Sequence, residues 1–215
     1  MKKTFTALVL AMSMATAAHA QPGEHVSLGA GIGFNTYRDP AFSSKSPTVV
    51  PEYNFGLIPH GNRQGLSLAM MGGVGYLSVD RSGSIGDLET KNGNLRMFTA
   101  MVGAGPSYRA GPLSIGVGVV AGPSFNSFSV DNGARAAYRD RLGATLNSIK
   151  VENSLAAQPN VNAWYNLTPR LGLHSAVGYT INRPIVRTTV DGVTSSTRWT
   201  TDGWSYDAGL ALGIF

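Results

Sequence analysis

The stretch "LHSAV" sets His174 beside Ser175, the residue types of a general base and a nucleophile. On an extended strand neighbouring side chains point to opposite faces, so this pair cannot share the hydrogen bond that activates a serine. Three ionisable positions, His174 among them, stand out because they interrupt rows of small neutral residues: Glu52, His174 and Asp207. Alternation puts each of them on the polar face of its segment. Enclosed there, such groups need hydrogen-bond or charge partners, which predicts a polar network that stabilises the fold. Arg135, Arg139 and Arg141 cluster in "GARAAYRDRLG". Guanidinium groups match phosphate oxygens, so these three are candidates for contact with phosphorylated lipid or sugar. The four histidines have no metal-ligand spacing and there is no cysteine, which removes disulfide, thiol and Cys-metal chemistry. "GAGIG" and "GVG" lack the following helix and the Lys-Ser/Thr pair of a phosphate loop. No cofactor is indicated.

The elements that position these residues repeat with period two. Val26, Leu28, Ala30, Ile32 and Phe34 alternate with Ser27 and three glycines. Leu113, Ile115, Val117, Val119 and Ala121 lie opposite Ser114, Gly116, Gly118 and Gly122. Val161, Tyr165 and Leu167 oppose Asn160, Asn162, Trp164 and Asn166, and Leu171, Leu173, Val177, Tyr179 and Ile181 oppose Gly172, His174, Gly178 and Thr180. Strict alternation is the mark of a strand with two unlike faces. Eight such segments are legible, at roughly 25–35, 48–58, 65–79, 95–108, 112–130, 156–167, 170–190 and 193–215. The links "PHGNRQ", "RAG" and "TP" are short, whereas "TYRDPAFSSKSP", "DRSGSIGDLETKNG" and residues 131–155 are long. Short turns at one end and long loops at the other describe an up-and-down barrel of the outer-membrane kind.

The polar faces carry Gly, Ser, Asn and Thr rather than Lys and Glu, which suits a tight lumen better than a solvated surface. Only 13% of residues are charged, against about 25% in ordinary soluble domains. The fold class is therefore all-β: an eight-stranded antiparallel up-and-down transmembrane β-barrel. A soluble lipocalin-like barrel, with its apolar face turned inward, is the alternative. Lys2 and Lys3, an apolar run to Ala18 and "AHA" read as a signal peptide over residues 1–20, leaving 21–215 as one barrel domain. Without Lys2 and Lys3 the chain has 15 basic and 12 acidic residues, an excess too small to indicate nucleic acid.

Two loops carry further expectations. In 131–155, Tyr138, Leu142, Leu146 and Ile149 fall at helical spacing, which predicts a short helix or structured loop. Asp191-Gly192 between β-branched runs predicts a two-residue hairpin turn. The strands flanking it would run about 20 residues, twice a membrane crossing, and protrude as a hairpin with backbone edges open to a partner strand. The chain ends in "DGWSYDAGLALGIF", where Trp204, Tyr206, Leu210, Leu212 and Ile214 share a row that omits Phe215. A bulge at Asp202-Gly203 is a candidate cause of a phase shift in this strand.

With the leading segment, "YNLTPRLGLHSAVGYTIN" and the terminal Phe215, the chain resembles the small eight-stranded outer-membrane proteins of Gram-negative bacteria, the opacity-protein and Ail-like group. The resemblance implies outer-membrane lipid and lipopolysaccharide as surroundings, the barrel assembly machinery as a partner during insertion, and a surface ligand or host protein as a further one. It implies a non-enzymatic surface, adhesion or barrier protein. A narrow channel or small-ligand conduit is the second reading, and a lipid A-modifying enzyme the third.

Overall fold

The computed structural model describes residues 25–42, 48–58, 64–168 and 170–213. Its strands are β1 (His25–Tyr37), β2 (Thr48–Ile58), β3 (Gly65–Ile85), β4 (Leu88–Ala110), β5 (Leu113–Val130), β6 (Leu146–Val151), β7 (Ser154–Asn166), β8 (Leu171–Asn182), β9 (Ile185–Val190), β10 (Val193–Arg198) and β11 (Gly203–Gly213). Helix α1 (Asn132–Leu142) follows β5, and a single 3-10 turn spans Pro40–Phe42. Eight strands close a barrel in the order β1-β11-β8-β7-β5-β4-β3-β2, and β10-β9-β6 form a separate three-stranded sheet.

The face assignments follow the alternation. Ile32, Val119 and Leu210 are 53%, 55% and 57% exposed on the outside, although all three are aliphatic. Their partners in alternation, such as Ser114, Val120 and His174, are buried. An apolar exterior around a polar lumen is the reverse of a soluble barrel, so the lipocalin-like alternative is excluded. No helix among the described residues is long and apolar enough to cross a membrane, so the crossing falls to the strands.

The exterior also shows where the lipid ends. Tyr76, Phe98 and Phe125 are paired across β3, β4 and β5, and one step above them come Ser78, Arg96 and Ser127. Phe34, Tyr206, Trp204 and Tyr179 continue this upper aromatic row across β1, β11 and β8. Tyr108 on β4 and Tyr165 on β7 mark the lower row, at the end where β1 begins and β11 finishes. From Tyr108 to Phe98 is ten residues; at ~3.3 Å each and a tilt of about 40° that is a band of about 25 Å.

Above the band the sequence reading needs correction. "DRSGSIGDLETKNG" is not a loop: β3 and β4 stay paired up to Ile85 and Leu88, with a shift between Arg81 and Ser82. Its outward positions are Asp80, Ser82, Ser84, Glu89 and Lys91, so the apolar alternation that betrays a membrane strand is missing while the pairing persists. The expected 20-residue strands also break. β8 ends at Asn182 and β11 begins at Gly203, and the hairpin between them, β9 and β10, leaves the barrel sheet to pair with β6. One edge of that hairpin is therefore covered, while β10 keeps an unpaired edge, as does β6 on the far side of the sheet. The turn itself is as expected: Asp191 and Gly192 both have positive φ, 48° and 78°.

α1 forms where the helical spacing begins but stops at Gly143, whose left-handed φ of 61° caps it. Leu146 and Ile149 consequently lie on β6. At the other end Asp131 accepts a hydrogen bond from Gly133 N. The β11 ladder runs from Gly203 to Gly213 with no register shift against β1 or β8, so there is no bulge at Asp202-Gly203. Ile214 and Phe215 lie outside the described residues.

Candidate functional site

Two regions inside the wall have the composition of a site. The first is the lumen within the apolar band. His174 projects inward from β8 and its Nδ1 lies 3.2 Å from Asp207 Oδ1 on β11, the geometry of an N–H donor on a carboxylate, with both side chains buried. Trp164 packs on the imidazole with ring centroids 5.2 Å apart. The opposite edge of the ring lies against β1, where a Cβ on Gly29 would stand 2.6 Å from His174 Cδ2. Only glycine leaves room for it. His174 Nε2 is buried without a hydrogen-bond partner. Around this dyad, Gln158, Asn160 and Asn162 point in from β7, and Gln158 Nε2 donates to Ser205 Oγ at 2.7 Å.

These side chains leave a cavity of about 90 Å³ lined by His174, Asp207, Trp164, Asn162, Gln158 and Met71. A second, of about 70 Å³, is lined by Asn182, Ser205 and Met97 and shares Gln158, Thr99 and Met101 with the first. Each holds a few water molecules at most. Eight strands leave an interior that side chains nearly fill.

The second region closes the outer mouth. Phe42, Val79, Leu95, Met97, Val151, Val186 and Trp199 form one buried cluster, with Tyr37, Phe128 and Ile149 packed against it. Trp199 meets Phe42 and Phe128 edge-on, at centroid distances of 5.6 and 5.2 Å. The Arg81 guanidinium lies 4.3 Å from the Trp199 ring. Burial lowers the pKa of Arg81 below its ordinary value. Beneath the cluster a polar belt holds the point where β8 leaves the barrel. Asp202 Oδ1 accepts from Asn182 N at 2.9 Å, and Arg183 Nε and Nη2 donate to Asp202 Oδ2 at 3.2 and 2.9 Å. Asn182 Nδ2 donates to Ser124 Oγ, and Ser154 Oγ donates to Asn182 Oδ1. Arg38 N donates to Asp202 O, which ties the turn carrying Phe42 to the same residue.

A family model, the outer membrane protein beta-barrel domain, matches residues 4–152. The chain belongs to this family. It is an outer-membrane β-barrel protein, and lipid and lipopolysaccharide surround it there. Its fold is similar to the crystal structure of the outer membrane protein OprG from Pseudomonas aeruginosa, at 12% identity and a TM-score of 0.60, covering 89% of this chain and 96% of that one. A major outer membrane protein from Thermus thermophilus is similar at 15% identity and a TM-score of 0.51, covering 89% and 99% of the two chains. Neisserial surface protein A aligns at 14% identity and a TM-score of 0.50, over 89% and 97%. No curated protein matches in sequence.

Within this outer-membrane barrel the expected site residues separate. His174 and Asp207 meet in the lumen. Glu52 is placed by backbone register alone, on the row that runs through Gly31 and Gly209 to His174; its side chain lies outside what the structure describes. Ser175 faces outward while His174 faces inward, so the pair is divided by the wall. Arg135, Arg139 and Arg141 are exposed on α1. That helix packs on the tip of the β3–β4 hairpin through Ala134, Ala137 and Ile85, and Arg141 pairs with Asp87 at 3.4 Å. Alternation puts Asn182 on the polar face, where it is buried, but neither it nor Asp202 was expected as a site residue. Asp202 was legible only as part of an Asp-Gly step, and its four-way role depends on β8, β11 and the turn before β2 converging.

Proposed function

We propose that the protein is a non-enzymatic, non-conducting surface barrel that seals its own lumen and presents a rigid platform outside the cell. The carrying observation is the apolar cluster of Phe42, Val186 and Trp199 across the outer mouth, each of them nearly inaccessible. Residues 1–20 direct export and are then removed, and insertion depends on the barrel assembly machinery. His174, Asp207 and, by register, Glu52 serve the stability of the lumen wall. The platform of α1 and the three-stranded sheet is the part a surface ligand or host protein would meet.

The test is single-channel recording of purified protein in planar bilayers. The expected result is a silent membrane. Discrete steps from the unmodified protein would establish the narrow-conduit reading instead, which the two adjoining polar cavities favour. In that case residues lining both cavities, Gln158 and Thr99, would set the conductance.

A further inference from the structure

The sheet of β6, β9 and β10 has two unpaired edges, and they are not alike. β5 stands against the far edge of β6, where Asn126 Nδ2 donates to Glu152 O and Asn126 N donates to Asn153 Oδ1. On β10 all six residues are exposed. The turn fixes which of its backbone groups are free. A two-residue hairpin makes Val190 and Val193 a hydrogen-bonded pair, and such pairs recur at every second residue. Thr188 with Ser195 and Val186 with Thr197 are therefore bonded, and Trp199 N on Pro184 O keeps the same phase. Thr194, Ser196 and Arg198 turn their N–H and C=O groups to the open side. The devices that usually protect such an edge are absent. β10 has no proline and no shift in register, and its one charge is Arg198 at the end.

The side chains beside this edge select what covers it. Thr194, Ser196 and Arg198 share the outward face of the sheet with Arg187 and Lys150. Lys150 directly opposes Arg187, and Arg198 is the diagonal neighbour of Arg187. Like charges so placed destabilise a sheet. Glu152, 2.6 Å from Arg187, is the one acid on this face, and Lys150 and Arg198 have no ion-pair partner among the described residues. A strand added to β10 puts the residues opposite Ser196 and Arg198 on the same outward face. A carboxylate opposite Arg198 meets it across about 5 Å, and one opposite Ser196 stands in line with Arg187. On its other face the added strand meets Thr197, Ser195 and the 73% exposed Val193, none of them charged. Charge and backbone together call for carboxylates at every second position, with hydroxyl or aliphatic residues between. A polyanionic sugar matches the cations but lacks the alternating N–H and C=O spacing of the edge.

We propose that the open edge of β10 takes up an extended acidic peptide as an antiparallel fourth strand, its alternate carboxylates paired with Arg198 and Arg187. The proposal rests on the platform half of the reading above and not on the sealed lumen. Channel activity would leave it standing, and failure of strand addition would leave the seal untouched.

The experiment titrates folded protein in detergent micelles with a fluorescent peptide of alternating glutamate and threonine, read by anisotropy. Four comparison probes accompany it: the same peptide N-methylated at its glutamates, the same N-methylated at its threonines, one of equal composition with the glutamates in a block, and a sulfated oligosaccharide. Glutamates opposite Ser196 and Arg198 point their N–H groups at β10, whereas the threonines point theirs away. Methylation at glutamate is therefore expected to weaken binding about tenfold or more, and methylation at threonine less than about twofold. Ser196→Pro removes a donor that β9 does not use and should also cost about tenfold. Arg198→Gln should cost about fivefold, with a shallower salt dependence. Absence of binding by the alternating peptide, equal binding of the block peptide, or equal effects of the two methylations would each overturn strand addition. So would a sulfated oligosaccharide that binds as tightly and is weakened by Arg198→Gln but not by Ser196→Pro. Should Ser196→Pro lose its heat-modifiable gel mobility, the two methylated peptides decide, because they need only the unmodified protein.

Discussion

Within the lipid band β4 turns Tyr108 and Val102 outward and Ser107 and Thr99 inward; above the Tyr76–Phe98–Phe125 row it turns Arg96 and Asn94 outward and Leu95 and Met97 inward. The strand does not change phase. Only the solvent changes, and the sequence reverses its polarity to suit. Below the row, hydrocarbon solvates an apolar exterior and the enclosed polar groups must satisfy each other, as Gln158 and Ser205 do. Above it, water solvates Ser78, Asp80 and Ser127, and an ordinary apolar core fills the inside. One continuous wall thus contains two folding problems. The lumen is held by hydrogen bonds and the mouth by burial of apolar area, so the two halves should fail differently.

The largest effect is expected in the mouth. Trp199→Ala removes a ring that touches Phe42, Phe128 and Arg81, at a cost of about 3–5 kcal/mol for an aromatic truncation in a core. Urea titration of the folded protein in vesicles measures it, and bilayer recording should show a leak absent from the parent. A loss below about 1 kcal/mol would mean that the cluster is not a core at all.

The boundary between the halves is tested by one charge at two depths. Val119 faces outward midway along β5, and Ser127 faces outward just above Phe125. Val119→Arg should cost about 2–4 kcal/mol, as for arginine at the bilayer midplane. Ser127→Arg should stay within about 0.5 kcal/mol. Equal costs in vesicle unfolding would erase the aromatic row as the edge of the lipid.

Between the halves lies the belt. Asp202→Ala removes the acceptor of Asn182 N and of Arg183, and leaves a buried N–H unpaired; about 2–3 kcal/mol should be lost. Limited proteolysis should then cut 183–202 before the barrel opens. Simultaneous loss of both halves would show that the belt belongs to the barrel.

Much of the barrel was legible because lipid imposes an extreme contrast on alternate residues. Leu28, Ile32 and Phe34 against glycines admit one reading, and His174 and Asp207 were placed inward by counting alone. Above the lipid the contrast falls. Ser82 and Ser84 alternate with Gly83 and Ile85, a pattern that looks like a loop. Two features were not legible: the departure of β9 from the barrel and its pairing with β6. Each depends on pairing between segments about 40 residues apart, which periodicity within a segment does not encode.

The smallest expected effect lies on the water-exposed side of the β3–β4 hairpin. Lys91 Nζ lies 2.7 Å from Asp80 Oδ2, and Asn94 Nδ2 donates to Asp80 Oδ1 at 2.9 Å. The bond from Lys91, with help from Asn94, holds the Asp80 carboxyl below its ordinary 3.8. A carboxyl lowered on folding stabilises the hairpin at pH above that ordinary value. The contribution disappears as pH falls below 3.8 and through the folded value. The pair is half exposed, so salt screens it and the barrel as a whole should not notice. Amide protection at residues 80–94, taken relative to the intrinsic exchange rate at each pH, should fall slightly on acidification in the parent and change less in Lys91→Ala, while protection in β8 and β11 stays fixed. A matching change in the lumen strands would contradict the separation of the two halves, because a water-exposed pair would then be coupled to groups that hydrocarbon encloses.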